Sequence, residues 1–301
     1  MKIPSKWDGT RLFTGHKSKN ALKAFQPGHI LHRPEHWQAG IVFASPHSGN
    51  IYPESFVKAS RLELNQLRRN EDIFIDNLVA PAVKYGAPLL TARFPRCFVD
   101  VNRAENEVPQ KWSNAPVEPS ARTHAGIGVV PTHINETLPI YEDEPSKAEA
   151  AARINGLYRP YHAALKGIIS ESVDIFGQAL LIDCHSMPGF APMGARRPDI
   201  VLGDRFGKSC QPETLAMFKA LFAQAGYSVA INHPYAGGFV TTHYGQPKTG
   251  VEAIQIEINR DLYLNPVTLA PKRGYDALAE NLDRIIGQII QAASSQALAA
   301  Q

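Results

Sequence analysis

Four groups of polar residues in this chain have the types and spacings that hydrolysis at a metal requires. His47 lies in Ser45-Pro46-His47-Ser48-Gly49, directly after the apolar run Ile41-Val42-Phe43-Ala44. His185 lies in Asp183-Cys184-His185-Ser186, at the end of a second apolar run from Ala179 to Ile182. Neutral imidazole is the commonest protein ligand for zinc and related metals. A catalytic zinc usually takes three protein ligands and keeps one position open, so a carboxylate is expected as the third. Glu71 and Asp72 both offer one, in Asn70-Glu71-Asp72-Ile73-Phe74-Ile75-Asp76. Asp72 and Asp76 are four residues apart, and on a helix both would face one side, one for a metal and the other to orient a ligand or meet substrate. Asp183, two residues before His185 on an extended strand, projects to the same side and can orient an imidazole. Glu257 completes the set. In Gln255-Ile256-Glu257-Ile258-Asn259 the polar residues fall on one face of a strand and the isoleucines on the other. A carboxylate there can take a proton from a metal-activated water and pass it to a leaving amine.

Each residue also has a plainer reading. His47 can be a turn histidine satisfied by the backbone. Acidic residues in a first helical turn serve capping and the helix dipole. The alternation around Glu257 is that of any half-buried strand. What joins the groups is their place, since each ends a predicted strand or opens the helix after one. Ligands in open α/β sheets collect at the carboxyl ends of strands.

Arg96 and Arg103 bracket Cys97-Phe98-Val99-Asp100-Val101-Asn102. Arginine pairs with carboxylates through a planar fork. Arg103, with Arg96 beside it, is expected to hold a substrate carboxylate, while pairing with Asp100 or Glu105 is the structural alternative. Asn102, Tyr235 and His243 join the expected substrate-binding set. The last two come from a glycine-rich stretch at 233–245, and such loops often close over substrates. No GxGxxG or GxxxxGK[ST] pattern occurs, so Gly237-Gly238 is not a phosphate fingerprint.

The elements that must position these residues alternate between strand and helix patterns. Strands are predicted at 41–44, in Ala87–Phe94, in Cys97–Arg103 as a third strand or its continuation, at 179–182, in Tyr227–Asn232 and in Val251–Arg260. Helices are predicted at 59–85, at 146–177 with a break near Pro160, at 211–226 and at 275–299. Residues 1–39 read as an irregular segment and 104–145 as a long loop near the site, since loops of that length are rarely idle. The alternation argues α/β with a mixed, largely parallel sheet covered by helices. No linker composition divides the 301 residues, so one domain is expected over 1–301.

Composition excludes more than it asserts. Hydrophobic residues make up 44% and charged residues 20%, and the net charge is +3 without a basic or acidic run. Nothing calls for nucleic acid or an anionic membrane surface, and a small anionic ligand suits the mild positive balance. Three cysteines, none closely spaced, predict neither a disulfide framework nor a cysteine-rich zinc knuckle. No apolar stretch reaches 18 residues, and MKIPSKWDGTRLF lacks the apolar core of a signal peptide. A cytoplasmic setting is the expectation; oligomeric state is not legible.

SPHSG at 45–49, the acidic ED with DxxxDxL spacing at 71–78, PRCFVDVNR at 95–103, DCHS at 183–186, DIVLGDRFGKSC at 199–210, HPYAGG at 233–238 and QIEINRDLY at 255–263 follow one another over residues 40–265. Together they resemble the N-formylglutamate amidohydrolase family. The resemblance implies a three-layer α/β/α sandwich with a mixed sheet, similar to zinc exopeptidases (phosphorylase/hydrolase-like). It implies hydrolysis of N-formyl-L-glutamate to formate and glutamate in histidine degradation, with one Zn2+ per chain. By position, His47 and His185 match metal-ligand histidines, Asp72 is the expected carboxylate ligand with Glu71 its competitor, and Glu257 stands where a zinc-peptidase-like base would. After Asn102-Arg103 the chain departs from the family's more usual proline-rich continuation, where a different N-acyl amino acid would be accommodated.

Three rivals carry their own tests. A serine or cysteine hydrolase would use Ser48, Ser186 or Cys184, but no GxSxG occurs, and Cys184 should face away from His185. A non-catalytic N-acyl amino acid binding protein would bind without turnover. A metal-dependent N-acyl amino acid or cell-wall amidase of other specificity uses similar ligands, but the missing signal peptide weighs against a cell-wall role.

Overall fold

Nine strands and ten α-helices occur among the described residues of this computed structural model, which are 21–113 and 120–299. Most of the irregular N-terminal segment expected from sequence, and positions 114–119 of the expected long loop, lie outside them. In chain order the elements are β1 (His29–His32), β2 (Ile41–Ser45), α1 (Glu54–Ala59), α2 (Leu64–Arg68), α3 (Ile75–Val79), α4 (Pro81–Lys84), β3 (Leu89–Ala92), α5 (Ala121–His124), β4 (His133–Asn135), β5 (Leu138–Pro139), α6 (Lys147–Arg153), α7 (Arg159–Phe176), β6 (Ala179–Met187), β7 (Ile200–Gly203), α8 (Pro212–Gln224), β8 (Val229–Ile231), α9 (Phe239–Tyr244), β9 (Val251–Asn259) and α10 (Gly274–Ala299).

Seven strands form one sheet in the order β1-β3-β2-β6-β9-β7-β8, and β4 pairs with β5. The pairings β2–β3, β2–β6, β6–β9 and β7–β8 are parallel, while β1–β3 and β7–β9 are antiparallel. The chain leaves β2 toward β3 on one side and β6 toward β9 on the other. The order therefore reverses between β2 and β6, and α/β sheets open a crevice at such a point.

Two apolar cores lie on the two faces, giving three layers. One packs Val42, Ala44, Leu90, Leu181 and Ala253 against Tyr161, Leu165, Ile168 and Ile169 of α7. The other packs Ile41, Phe43, Leu89, Ile182, Cys184 and the three isoleucines of β9 against α3, α4, α8 and α10. In α10, Leu278, Leu282, Ile285, Ile286, Ile289 and Ile290 recur at helical intervals and are all buried. Each such side chain contributes roughly 1.5–3 kcal/mol of gross burial energy. Among the described residues no helix is long and apolar enough to cross a membrane.

The structure corrects several sequence expectations. The helix expected over 59–85 is broken into α2, α3 and α4, with residues 69–74 between α2 and α3 not helical. Phe74 at the entrance to α3 has φ 66°, a left-handed conformation no helix interior contains. Asp72 and Asp76 therefore do not share a helical face. The segment after Arg96 forms turns rather than a third strand. β1 was hidden in a stretch read as irregular, and β7 was not anticipated. The glycine-rich stretch at 233–245 contains α9. The long helix at 146–177 does form, with a π-helical turn over Ile154–Tyr158 just before Pro160.

Candidate metal centre

At the carboxyl ends of β2 and β6, His47, Asp72 and His185 meet. One ligand atom from each lies within 4.8 Å of the others, and all three residues are buried. The local chain explains why. Gly49 ends the turn after β2 with its Cα against Phe94, where a Cβ would stand 2.1 Å from the Phe94 carbonyl oxygen. That close approach folds Ser45–Gly49 over the sheet end. The Asp72 N–H then donates to the His47 carbonyl at 3.0 Å, which brings the non-helical acidic segment alongside. His185 arrives on β6 itself, on the face opposite Cys184.

Each histidine is held by a carboxylate on its far side. His47 Nε2 lies 2.8 Å from Asp100 Oδ1, and His185 Nε2 lies 2.9 Å from Asp183 Oδ2. This leaves both Nδ1 atoms facing Asp72 Oδ2, at 3.5 Å from His47 and 2.9 Å from His185. The other Asp72 oxygen accepts from Ser186 Oγ and from Arg260 Nη2, both at 2.9 Å. Burial alone would lower the pKa of His185, but Asp183 and Asp72 on either side hold it well above its ordinary value. Burial would likewise raise Asp72, and the two histidines with Arg260 hold it well below the usual carboxylate range.

His47 Nδ1 is a buried atom with no hydrogen-bond partner. It faces Asp72 Oδ2 at 3.5 Å without a hydrogen bond, so a cation held between the two would be met by both. Ligand atoms around a tetrahedral zinc with bonds of about 2.0–2.1 Å stand roughly 3.3 Å apart. The observed 2.9 and 3.5 Å bracket that spacing. The donor set, two imidazoles and a carboxylate whose outer atoms are already held, fits zinc.

Glu71 is turned elsewhere. Its carboxylate accepts from Arg68 Nε at 3.0 Å and sits beside Tyr52. Asp76 is not part of the cluster; its N–H donates to Ser48 Oγ at 3.2 Å, and burial pushes its carboxyl pKa up to about 6. Asp183 is where an orienting carboxylate was expected. Glu257 lies on β9 in register with His185, and Gln255 Nε2 donates to its Oε1 at 2.8 Å. Burial pushes the Glu257 carboxyl up to about 7.

The expected substrate-binding residues fall in two groups, with Asn102, Arg103 and Arg96 around Asp100 and Asp183 and with Tyr235 and His243 in the 233–245 segment. Asn102 is buried and committed: its Oδ1 accepts from the Val240 N–H at 2.8 Å, and its Nδ2 donates to Asp183 at 3.3 Å and lies 3.1 Å from His185 Nε2. Arg103 donates to the carbonyls of Ile127 and Asn102, with Asp100 at 3.8 Å. Arg96 donates to Asp100 Oδ2 at 2.9 Å. Tyr235 is half-buried and its hydroxyl accepts from Arg197 at 2.8 Å. His243 is exposed and stacks on Phe239. The sequence gives no sign that Asp100, Ser186 and Arg260 brace the cluster: Asp100 is expected there only as an arginine partner and Ser186 only as a rival nucleophile, and Arg260 directly follows β9. Cys184 points into the opposite core, and burial raises its thiol pKa, so it is no nucleophile for this site.

The model of the N-formylglutamate amidohydrolase family matches residues 39–264, a span holding every residue of the cluster. The chain is 30% identical over 256 residues to the N-formylglutamate deformylase of Pseudomonas aeruginosa, covering 83% of this chain and 91% of that one. It is 28% identical over 257 residues to the N-formylglutamate deformylase of Pseudomonas putida, covering 84% and 91%. The crystal structure of N-formylglutamate amidohydrolase from Ralstonia eutropha JMP134 superposes with a TM-score of 0.83 at 31% identity, over 88% of this chain and 98% of that one. The gene product Atu2144 of Agrobacterium tumefaciens shares the fold, with a TM-score of 0.63 at 18% identity over 88% and 95%. With a match that runs from the approach to β2 to the residues beyond β9, the chain belongs to the N-formylglutamate amidohydrolase family.

Proposed function

We propose that this protein is a zinc-dependent amidohydrolase that cleaves N-formyl-L-glutamate to formate and glutamate. His47, Asp72 and His185 would hold the metal. The observation that carries the reading is the unpartnered, buried His47 Nδ1 aimed at Asp72, with both histidines fixed from behind by Asp100 and Asp183. The names of the relatives support the formylglutamate substrate.

What zinc supplies at such a centre is a water of lowered pKa, about 7, and a polarised amide carbonyl. The chain's own residues do the rest. Glu257, one strand over from His185, accepts a proton from the attacking water on a carboxylate oxygen. It then gives that proton to the nitrogen of the departing glutamate, which is too basic to leave as an anion. Gln255 fixes the Glu257 oxygen it donates to, leaving the other for proton transfer. Water's oxygen ends in formate, and its two protons end on the glutamate nitrogen, which leaves as an ammonium. Asp100 and Asp183 keep the imidazoles in the tautomer that presents Nδ1.

The test is formate release from N-formyl-L-glutamate by metal-loaded protein, with N-acetyl and N-carbamoyl glutamate and the aspartate series as competitors. Formate release that stops in chelator and returns with zinc supports the reading. Activity untouched by chelation, or absence of formate from the N-formyl substrates, overturns it.

A further inference from the structure

We infer that Arg197, braced by Tyr235, grips a carboxylate of the substrate. The inference rests on the acyl amino acid reading above and names the group that would confer its preference for an acidic substrate.

The other arginines nearest the cluster are already committed. Arg96 is paired with Asp100, and Arg260 with Asp72, Ser186 and the Arg69 carbonyl. Arg103 is held by two backbone carbonyls, with Asp100 at 3.8 Å. Arg205 donates to the Gly237 carbonyl. Arg197 differs. Among the described residues it forms no ion pair, and its buried Nε has no hydrogen-bond partner. Its Nη1 donates to the Tyr235 hydroxyl at 2.8 Å, and its guanidinium carbon stands 5.2 Å from the Tyr235 ring centre. With Nη1 taken, the Nε and Nη2 edge is free. That edge carries the two parallel N–H groups that match a carboxylate's two oxygens.

Its place is also fixed. The Arg197 N–H donates to the Gly189 carbonyl at 2.9 Å, and its own carbonyl accepts from Asn259 Nδ2 at 3.1 Å. Asn259 lies two residues beyond Glu257 on the same face of β9, in register with Met187, two beyond His185. The backbone of Arg197 is therefore pinned one step past the base and the metal cluster at the same sheet end. Tyr235 stands three residues before Gly238, whose N–H donates to Gln255 Oε1 at 2.8 Å, so Tyr235 lies on the loop that is anchored beside Glu257 on β9. An N-acyl amino acid with its amide at the cluster and its charged end running past Glu257 along the sheet end would meet the uncommitted guanidinium of Arg197.

Arg197→Gln, Arg197→Lys and Tyr235→Phe can be compared with wild type on three substrates: N-formyl-L-glutamate, N-formyl-L-glutamine and the α-amide of N-formyl-L-glutamate. Arg197→Gln should raise KM for N-formyl-L-glutamate by roughly 10–100-fold, as loss of a charged hydrogen-bond pair does. The penalty should vanish on whichever amide lacks the carboxylate that Arg197 holds. Arg197→Lys should recover part of the loss, and Tyr235→Phe should show a smaller one with the same substrate pattern. Equal losses on all three substrates, or none, overturn the inference. Calorimetric binding of N-formyl-L-glutamate to metal-free wild type and Arg197→Gln decides the point without turnover. Binding that is lost in the variant supports the inference even if the hydrolytic reading fails, and binding equal in both, or absent in wild type, overturns it.

Discussion

His185 and Glu257 are register partners on the adjacent parallel strands β6 and β9. Neighbouring strands stand about 4.8 Å apart, and both side chains leave the same face. A candidate metal ligand and a candidate base are thus held by rigid sheet geometry rather than by loops. Glu257→Gln keeps the size of the side chain but removes the proton acceptor. Turnover should fall by roughly 10²–10⁴ while zinc content and substrate binding persist. Near-normal turnover would place the base elsewhere, with Asp183 next to be tested. Loss of zinc would make Glu257 a ligand.

Metal content and thermal stability should report the three proposed ligands together. Ligands that bind only the folded state stabilise it, by about 4 kcal/mol at a thousandfold excess over Kd. Zinc should therefore raise the Tm of metal-free protein by several degrees. His185→Ala should abolish both the zinc stoichiometry and that rise, and His47→Ala should do the same. Zinc retained at one ion per chain in either variant would exclude that residue as a ligand.

Asp100 links two functions, since one oxygen meets His47 Nε2 and the other takes the Arg96 hydrogen bond. Burial would raise its pKa, and Arg103, Arg96 and His47 together hold it well below the usual range. Asp100→Asn removes the charge that makes His47 a strong donor of its Nδ1 lone pair. Partners of this kind typically cost 10–100-fold in metal affinity when replaced. A competition titration for zinc should show that weakening with the fold intact by circular dichroism. An unchanged zinc affinity would leave Asp100 as only the counterion of Arg96.

The two histidines were legible because each directly ends a buried apolar strand, and the alternation in 255–259 correctly put Glu257 on the polar face. The choice between Glu71 and Asp72 was not legible, since both stand in a segment whose pattern looks helical. The left-handed Phe74 and the hydrogen bond from Asp72 to His47 bring Asp72 rather than Glu71 to the two histidines, and neither leaves a trace in residue spacing. The partners of the arginines were not legible for a related reason. Arg103 lies beside a motif that suggests substrate, yet the carbonyls that occupy it come from Ile127, 24 residues away, and from its neighbour Asn102. Arg197, free of such partners, stands in a stretch without any distinguishing pattern.

Gly238 tests how the glycine-rich segment supports the centre. A Cβ there would stand 2.4 Å from Asn102 Oδ1 and 2.5 Å from its Nδ2. The Asn102 amide cannot yield freely, because it accepts from Val240 and donates to Asp183, the residue behind His185. Gly238→Ala should therefore cost about 1–3 kcal/mol of stability, as overpacking does. It should also lower kcat/KM by displacing the groups that orient His185. Removing the clashing amide should relieve the alanine, so Gly238→Ala made in an Asn102→Ala background should cost much less than in wild type. Contacting residues show coupling of roughly 0.5–3 kcal/mol in such cycles. Tm measured on the two single variants and the double variant decides the matter: additive losses would mean that Gly238 is needed for the α9 turn itself and not for the seating of Asn102.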